Sequence, residues 1–418
     1  MKLHGIQTLA YIRQRGFSLV ELMVAMTIGL IISLAVFSVL NTFEGRKRTT
    51  TSVNDINQAG NYALYAIDKW VRSAGSGFSQ SSGAAFGCTL TAARNGAQIL
   101  PRPAALPAPF ASVNPGTANT FKLAPILIGP DQTTPAVSGS TSDVLIIMAG
   151  SSGKGEVATN FGGTPSASTL NLINTVGFSG NDLILITDLS AGATGKPCML
   201  EPVATAFIGG LTAATPPVPI TALTLNTVTT APYYYMATIN SKALTSYTDI
   251  LNTTVINLGN IVGGNPPTFL VLGVGDNNTL FGFDLLQNQN PISGTTQMPF
   301  PVADGVFEMH ALYGVDSDNN GTVDTWTQAS GNFTPANLMA GTAAALIRLK
   351  SIKAVRIGLI MRTSTLEKDD VAPASLTLFP DLASSVQLTR TFASGEKKYR
   401  YRTVETTIPL RNQIMLSE

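Results

Sequence analysis

The sequence predicts an α+β protein: one long N-terminal helix, its first half apolar enough to cross a membrane, packed on a large antiparallel β-rich head. Three observations carry this. Phe17 to Leu40 is an apolar run of 24 residues whose one charge is Glu21, and as a helix it would reach about 36 Å, more than a bilayer core requires. Helical periodicity then continues to Ser73. Beyond it come short segments of strand-forming residues, each bounded by turn residues.

The elements follow in chain order. Residues 1–16 are polar, carry Lys2, Arg13 and Arg15, and end in Arg13-Gln14-Arg15-Gly16. An ordinary secretory signal would need a shorter apolar run closed by an Ala-x-Ala-like site, which is missing. Positive charge on the leader favours a cytoplasmic N-terminus, although Arg46, Lys47 and Arg48 weaken the asymmetry. Residues 17–40 form the membrane half of the helix and residues 41–74 its amphipathic half. In the latter, Val53, Ile56, Gly60, Ala63, Leu64, Ile67 and Val71 recur at three- and four-residue steps, and Gly75 and Gly77 end the pattern. Glu21, Ala25, Gly29 and Ser33 lie four apart on one face, a small-residue spacing that lets helices approach closely.

The head is expected over residues 75–418, with subdomains near 75–260 and 261–418. Residues 75–140, rich in Gly, Ser, Ala and Pro, read as long loops. Strands are expected at Asp143–Met148, Asp182–Thr187, Thr268–Val274, Thr279–Leu285, Val306–Val315, Ile352–Met361 and Tyr399–Leu410.

A carboxylate inside an apolar span costs about 2.5 to 3.5 kcal/mol at mid-membrane, so Glu21 requires a partner. The leader ending in Gly16, then Phe17, then Glu at the fifth position of an unbroken apolar helix, resembles the class III signal of type IV pilins and type II secretion pseudopilins. The resemblance implies a pilin-like fold. It also implies cleavage after Gly16 by a prepilin peptidase, methylation of the new amine on Phe17, and contact of Glu21 with a neighbouring subunit's N-terminal amine. Ser38 stands where major pilins usually carry a helix-bending Pro, which points to a minor subunit.

Four head segments, Ser142–Ile147, Asn181–Ile184, Val355–Arg362 and Tyr399–Asn412, are together similar to the PilW family of minor pilins. That likeness implies a structural, non-enzymatic protein that starts in the inner membrane as a single-pass subunit with a periplasmic head. It would prime assembly with other minor pilins and the major pilin, then occupy the extracellular fibre tip, where an adhesin binds. A J-type pseudopilin of a type II secretion system shares this plan. A single-span periplasmic glycan-binding or hydrolytic protein is the alternative from another class.

Composition agrees with a non-catalytic, exported protein. Lys plus Arg number 26 against 25 Asp plus Glu, and without the leader the balance becomes 23 against 25, which leaves no nucleic-acid footprint. After the leader only His310 remains to serve as an imidazole, and its place in a strand suggests a structural role. There is no G-x-S-x-G elbow, and neither Gly153-Lys154-Gly155 nor Gly195-Lys196-Pro197 has phosphate-loop spacing. Cys88 and Cys198 have no metal-type neighbours. In the periplasmic setting that the resemblance implies, they are expected to pair; two buried thiols are the other reading.

One stretch has metal-type spacing. Asp316-Ser317-Asp318-Asn319-Asn320-Gly321 matches the first half of a calcium loop, with Asp316, Asp318 and Asn320 as ligands, Thr322 offering its carbonyl and Asp324 acting directly or through water. The twelfth position is Thr327 rather than a bidentate Glu, so for calcium that ligand must come from elsewhere or binding is weak. The alternative is a polar turn whose Asp and Asn side chains cap their own backbone. Tyr233, Tyr234 and Tyr235 offer an aromatic contact surface or plain strand packing. Arg400 and Arg402 between Tyr399 and Tyr401 give a small basic face.

Overall fold

A computed structural model describes residues 16–94, 97–113, 119–133, 141–153, 158–189, 196–227, 238–239, 242–246, 251–262, 266–286, 298–414 and 416. The run of helix formers from Leu19 becomes a single helix of 55 residues, Leu19–Ser73. The chain divides into two compact units, Met1–Asn54 and Asp55–Glu418. In the first, the large apolar side chains from Phe17 to Phe43 are exposed, and the helix is long and apolar enough to cross a membrane.

Within the second unit the helix buries Ile56, Ala63, Ile67, Val71 and Ala74. Gly60 completes that stripe, because a Cβ there would lie 3.3 Å from the side chains of both Met361 and Val404. The helix stops where the sequence placed its glycines: Gly75 and Gly77 take φ of 78° and 82°, left-handed values that favour Gly. Asn412, from the far end of the chain, donates its side-chain amide to the carbonyls of Ser73 and Ala74, satisfying terminal acceptors that the helix cannot.

Three sheets make up most of the head. A six-stranded sheet runs in the order Ala97–Leu100, Thr89–Arg94, Pro197–Pro202, Asp182–Asp188, Thr253–Asn260, Thr159–Asn160. A five-stranded sheet runs Phe300–Asp304, Thr279–Asp284, Thr268–Gly275, Ser142–Ala149, Ile126–Thr133. A four-stranded sheet runs Thr325–Thr327, Val306–Val315, Ile352–Arg362, Tyr401–Pro409. Among the described residues every named strand pair is antiparallel except Thr89–Arg94 with Pro197–Pro202, where Leu90 faces Cys198 in parallel register.

The two central strands of the four-stranded sheet are buried on both faces, which explains why Val306–Val315 and Ile352–Met361 read as almost continuous apolar runs. Met309, Ala311, Tyr313, Val355, Ile357 and Leu359 join the main core. Phe307, Leu312 and Ile360 join a second cluster under the hairpin of Ser375–Leu378 and Leu388–Thr391. Two sheets are then stitched together by side chains. Tyr313 Oη accepts the Ile128 amide at 2.6 Å in a fully buried position. Ser142 Oγ accepts the Met309 amide and donates to the Met309 carbonyl, while Asp143 accepts the Ala311 amide. These side chains occupy the edge of Val306–Val315 beyond its short pairing with Thr325–Thr327, so that edge is not left open.

The expected strands are present, with Tyr399–Leu410 shortened to Tyr401–Pro409. Residues 75–140 differ from expectation: instead of long loops, their described part holds Thr89–Arg94, Ala97–Leu100, Ile126–Thr133 and short helical turns. Small residues such as Ala92 and Ala93 let these strands pack while hiding their period, and partners distant in sequence fix them. Thr253–Asn260 and the helix Ala343–Ser351, capped by Thr342 Oγ1 on the Ala345 amide, are further elements beyond those expected. Tyr233, Tyr234 and Tyr235 lie outside the described residues.

Candidate functional site

The N-terminal signal is built on the first helical turn. Ser18 precedes the helix, and its hydroxyl accepts the Glu21 amide at 3.1 Å. Glu21 Oε2 accepts the Ser18 amide at 3.3 Å in return. This reciprocal pair is a capping box, and its local signal, Ser-x-x-Glu, stands in the sequence at residues 18–21. Glu21 therefore has a donor within its own chain, and its negative charge also lies at the favourable, positive end of the helix dipole. Gly16 and Phe17 are exposed, with open space around Gly16. A new amine on Phe17 would be adjacent to the same Ser18 amide that holds the carboxylate. Along the small-residue face, a Cβ added at Gly29 would meet nothing within 4 Å, and the Ser33 hydroxyl turns back onto the Gly29 carbonyl. The face thus stays smooth.

In the head, Cys88 and Cys198 form a disulfide across 110 residues of chain, both fully buried beside the parallel strand pair. The pairing holds two distant segments in the register of the six-stranded sheet.

The acidic loop follows the strand Val306–Val315. Carboxylate oxygens of Asp316, Asp318 and Asp324 lie within 4.8 Å of one another, so among the described residues these three form a group that could hold a cation. They are also engaged locally. Asp316 accepts the Asn320 and Gly321 amides, Asp318 accepts from the Asn320 side chain, and Asp324 accepts the Ser317 amide and hydroxyl. The Ser317 amide, with its hydroxyl second, lowers the Asp324 pKa. Asn320 Oδ1 accepts the Thr322 amide, which fixes the turn around Gly321 and Thr322. Thr327 is not a ligand: it sits in the strand opposite Tyr313 and its hydroxyl donates to the Gln328 carbonyl.

A charged network that the sequence did not reveal lies where the five-stranded and four-stranded sheets meet. His310 sits between two carboxylates, Nδ1 3.7 Å from Asp143 and Nε2 3.4 Å from Glu308. Arg390 donates Nε to Glu308 and Nη2 to Glu396, each at 2.7 Å. Glu308 and Glu396 are almost fully buried. No local motif could have found this set, since Asp143 and His310 are far apart in sequence.

Two segments match known families. Residues 12–37 match the prokaryotic N-terminal methylation motif, and residues 274–412 match the type IV pilus-assembly protein W, PilW. No curated protein and no solved structure matches the chain. The first match contains Gly16, Phe17 and Glu21, and the second contains the acidic loop, His310 and Arg390. Together they support a type IV pilus-related pilin, a structural class of assembly protein anchored through its N-terminal helix.

The His310 bridge has a pH signature. Burial lowers the imidazole pKa, and Asp143 and Glu308 together outweigh burial, raising it from 6.5 to about 9. A folded-state pKa raised above the unfolded value stabilises fully below the unfolded value and ceases to do so as pH climbs through the folded one. Urea unfolding of the full chain in detergent should therefore give a midpoint that falls between pH 6.5 and about 9. His310→Gln should unfold at lower urea at the acidic end of that window and lose most of the slope. A variant with the parent's slope would show that another group sets it.

Proposed function

We propose that the chain is a minor pilin of a type IV pilus that primes assembly with other minor pilins and the major pilin, then resides at the fibre tip. One observation carries this reading: Gly16-Phe17 abuts a capping-box Glu21 at the start of a helix whose first half is apolar and exposed. The C-terminal match to PilW is its second support. It also favours the pilus over a secretion pseudopilus, since the family matched by the head is one of pilus assembly.

The mechanism follows from the helix. Its apolar half holds the subunit in the inner membrane with the head in the periplasm, and a prepilin peptidase removes residues 1–16. The freed, methylated amine of Phe17 is a cation placed at the helix start. When subunits stack, Glu21 exchanges or shares its Ser18 amide with a neighbour's amine, and two opposite charges in a low-dielectric bundle offset each other's desolvation. Glu21, Ala25, Gly29 and Ser33 let the neighbouring helix come close enough for that pairing. The head stays outside the bundle and is available to a tip adhesin. Intact mass spectrometry of the native protein should find a chain beginning at Phe17 with one added methyl group. A chain retaining Met1 to Gly16 would defeat the reading.

We also propose that Asp316, Asp318 and Asp324 take a calcium ion, with Asn320 and the Thr322 carbonyl completing an all-oxygen set. The converging carboxylates support this. Calcium added to the chelator-treated full chain should raise its melting temperature and alter emission from Trp326, whose strand adjoins the loop. No change in either removes the proposal.

A further inference from the structure

A cavity of about 250 Å³ opens beside the His310 network. Its polar wall presents Asp131, Asp143, Glu308, His310 and Arg390, and its apolar wall presents Ile360, Leu378 and Leu388. That volume is below the roughly 300 to 1,000 Å³ of pockets for drug-sized ligands, so it suits one side chain rather than a whole small molecule.

The charge of the wall selects the ligand. Three carboxylates face two cations, and both cations are already committed. Arg390 spends Nε on Glu308, Nη2 on Glu396 and Nη1 on the Thr391 carbonyl. His310 points a nitrogen at each of its carboxylates. Among the described residues of the lining, an incoming anion would find no uncommitted cation and a net negative wall. An incoming cation would find excess negative charge that the fold has placed in a partly buried site, where Coulomb attraction is stronger than in water.

Geometry separates an organic cation from a metal ion. The imidazole ring stands between Asp143 and Glu308, and among the described residues only Asp316, Asp318 and Asp324 bring three ligand atoms within 4.8 Å. The cavity's acidic groups are therefore spread around a space rather than focused on a point. A guanidinium or ammonium on an alkyl stem fits that layout, with the stem along Ile360, Leu378 and Leu388 and the head group toward Asp131 and Asp143.

From these features we infer that the cavity receives the arginine or lysine side chain of a partner protein. The site joins Asp131 and Asp143 of the five-stranded sheet to Glu308 and Arg390, which lie in the PilW-matched segment. An occupant would thus bridge that segment to the part of the head outside it. None of these features depends on the pilus assignment.

The test is hydrogen exchange, followed by mass spectrometry, on the full chain in detergent with N-acetyl-arginine amide or N-acetyl-lysine amide as probe. Exchange should slow saturably in peptides covering Asp131, Ala311 and Thr389. N-acetyl-citrulline amide, the neutral isostere of the arginine probe, should leave it unchanged. Asp131→Asn removes a rim charge without touching the Asp131 amide that donates to Asp143, and should weaken the half-saturation point about threefold. Gln328→Glu adds a charge to the lining and should strengthen it about threefold, as befits single partly exposed ion pairs. Opposite shifts in two variants are not what misfolding would produce. The inference is overturned by the absence of saturable slowing, by equal slowing with the citrulline probe or with sodium chloride at the same concentration, or by half-saturation points that neither substitution moves.

Discussion

A single carboxylate at the mouth of an apolar helix constrains the rest of this molecule. Glu21 cannot be left bare in a bilayer, and the chain meets that cost in two stages. Within the subunit, the Ser18 amide takes one of its oxygens at 3.3 Å and the helix dipole favours its charge. Between subunits of the proposed fibre, a neighbour's amine would supply the full countercharge. The internal donor is uncharged and the bond is long and exposed, so in the proposed fibre it would yield to a charged amine. On this view the capping box is a holding arrangement for assembly as much as a helix signal.

The head faces a different problem, which is how to hold three sheets on one helix end with few charges. It does so through side chains that act as backbone. Ser142 and Asp143 occupy the edge of Val306–Val315, Tyr313 closes on Ile128, and Asn412 caps the helix carbonyls. Each links segments far apart in sequence. The Cys88–Cys198 disulfide does the same covalently, fixing the one parallel pair among the described strands. The charged network around His310 lies at one of these joins, and the cavity beside it is the place where two parts of the head could be bridged by an outside group.

Legibility followed the range of the interactions. The helix, its glycine stop and the buried strands are readable because their signals are local: an apolar run, a period, a turn residue. The segment around Gly16, Phe17 and Glu21, which matches the N-terminal methylation motif, is readable for the same reason. The Ser18 cap is just as local, in Ser-x-x-Glu, but a lone carboxylate in an apolar span points first to an external partner and so hides the internal one. The strands between residues 89 and 133 read as loops, since Ala, Gly and Pro dilute their pattern and one of their partners lies more than a hundred residues away. Asp143, Glu308, His310 and Arg390 cannot be assembled from spacing, because three separate strands bring them together.

The central claim is that Glu21 changes partners, from its own Ser18 amide to a neighbour's N-terminal amine. Zero-length carbodiimide coupling of sheared, intact fibres, read by peptide mass spectrometry, tests this directly. The account predicts an amide joining the Glu21 carboxyl of this chain to the N-terminal residue of an adjacent subunit. Fibres in which this chain is incorporated and its other carboxylates couple, while Glu21 links to no N-terminus, would contradict it.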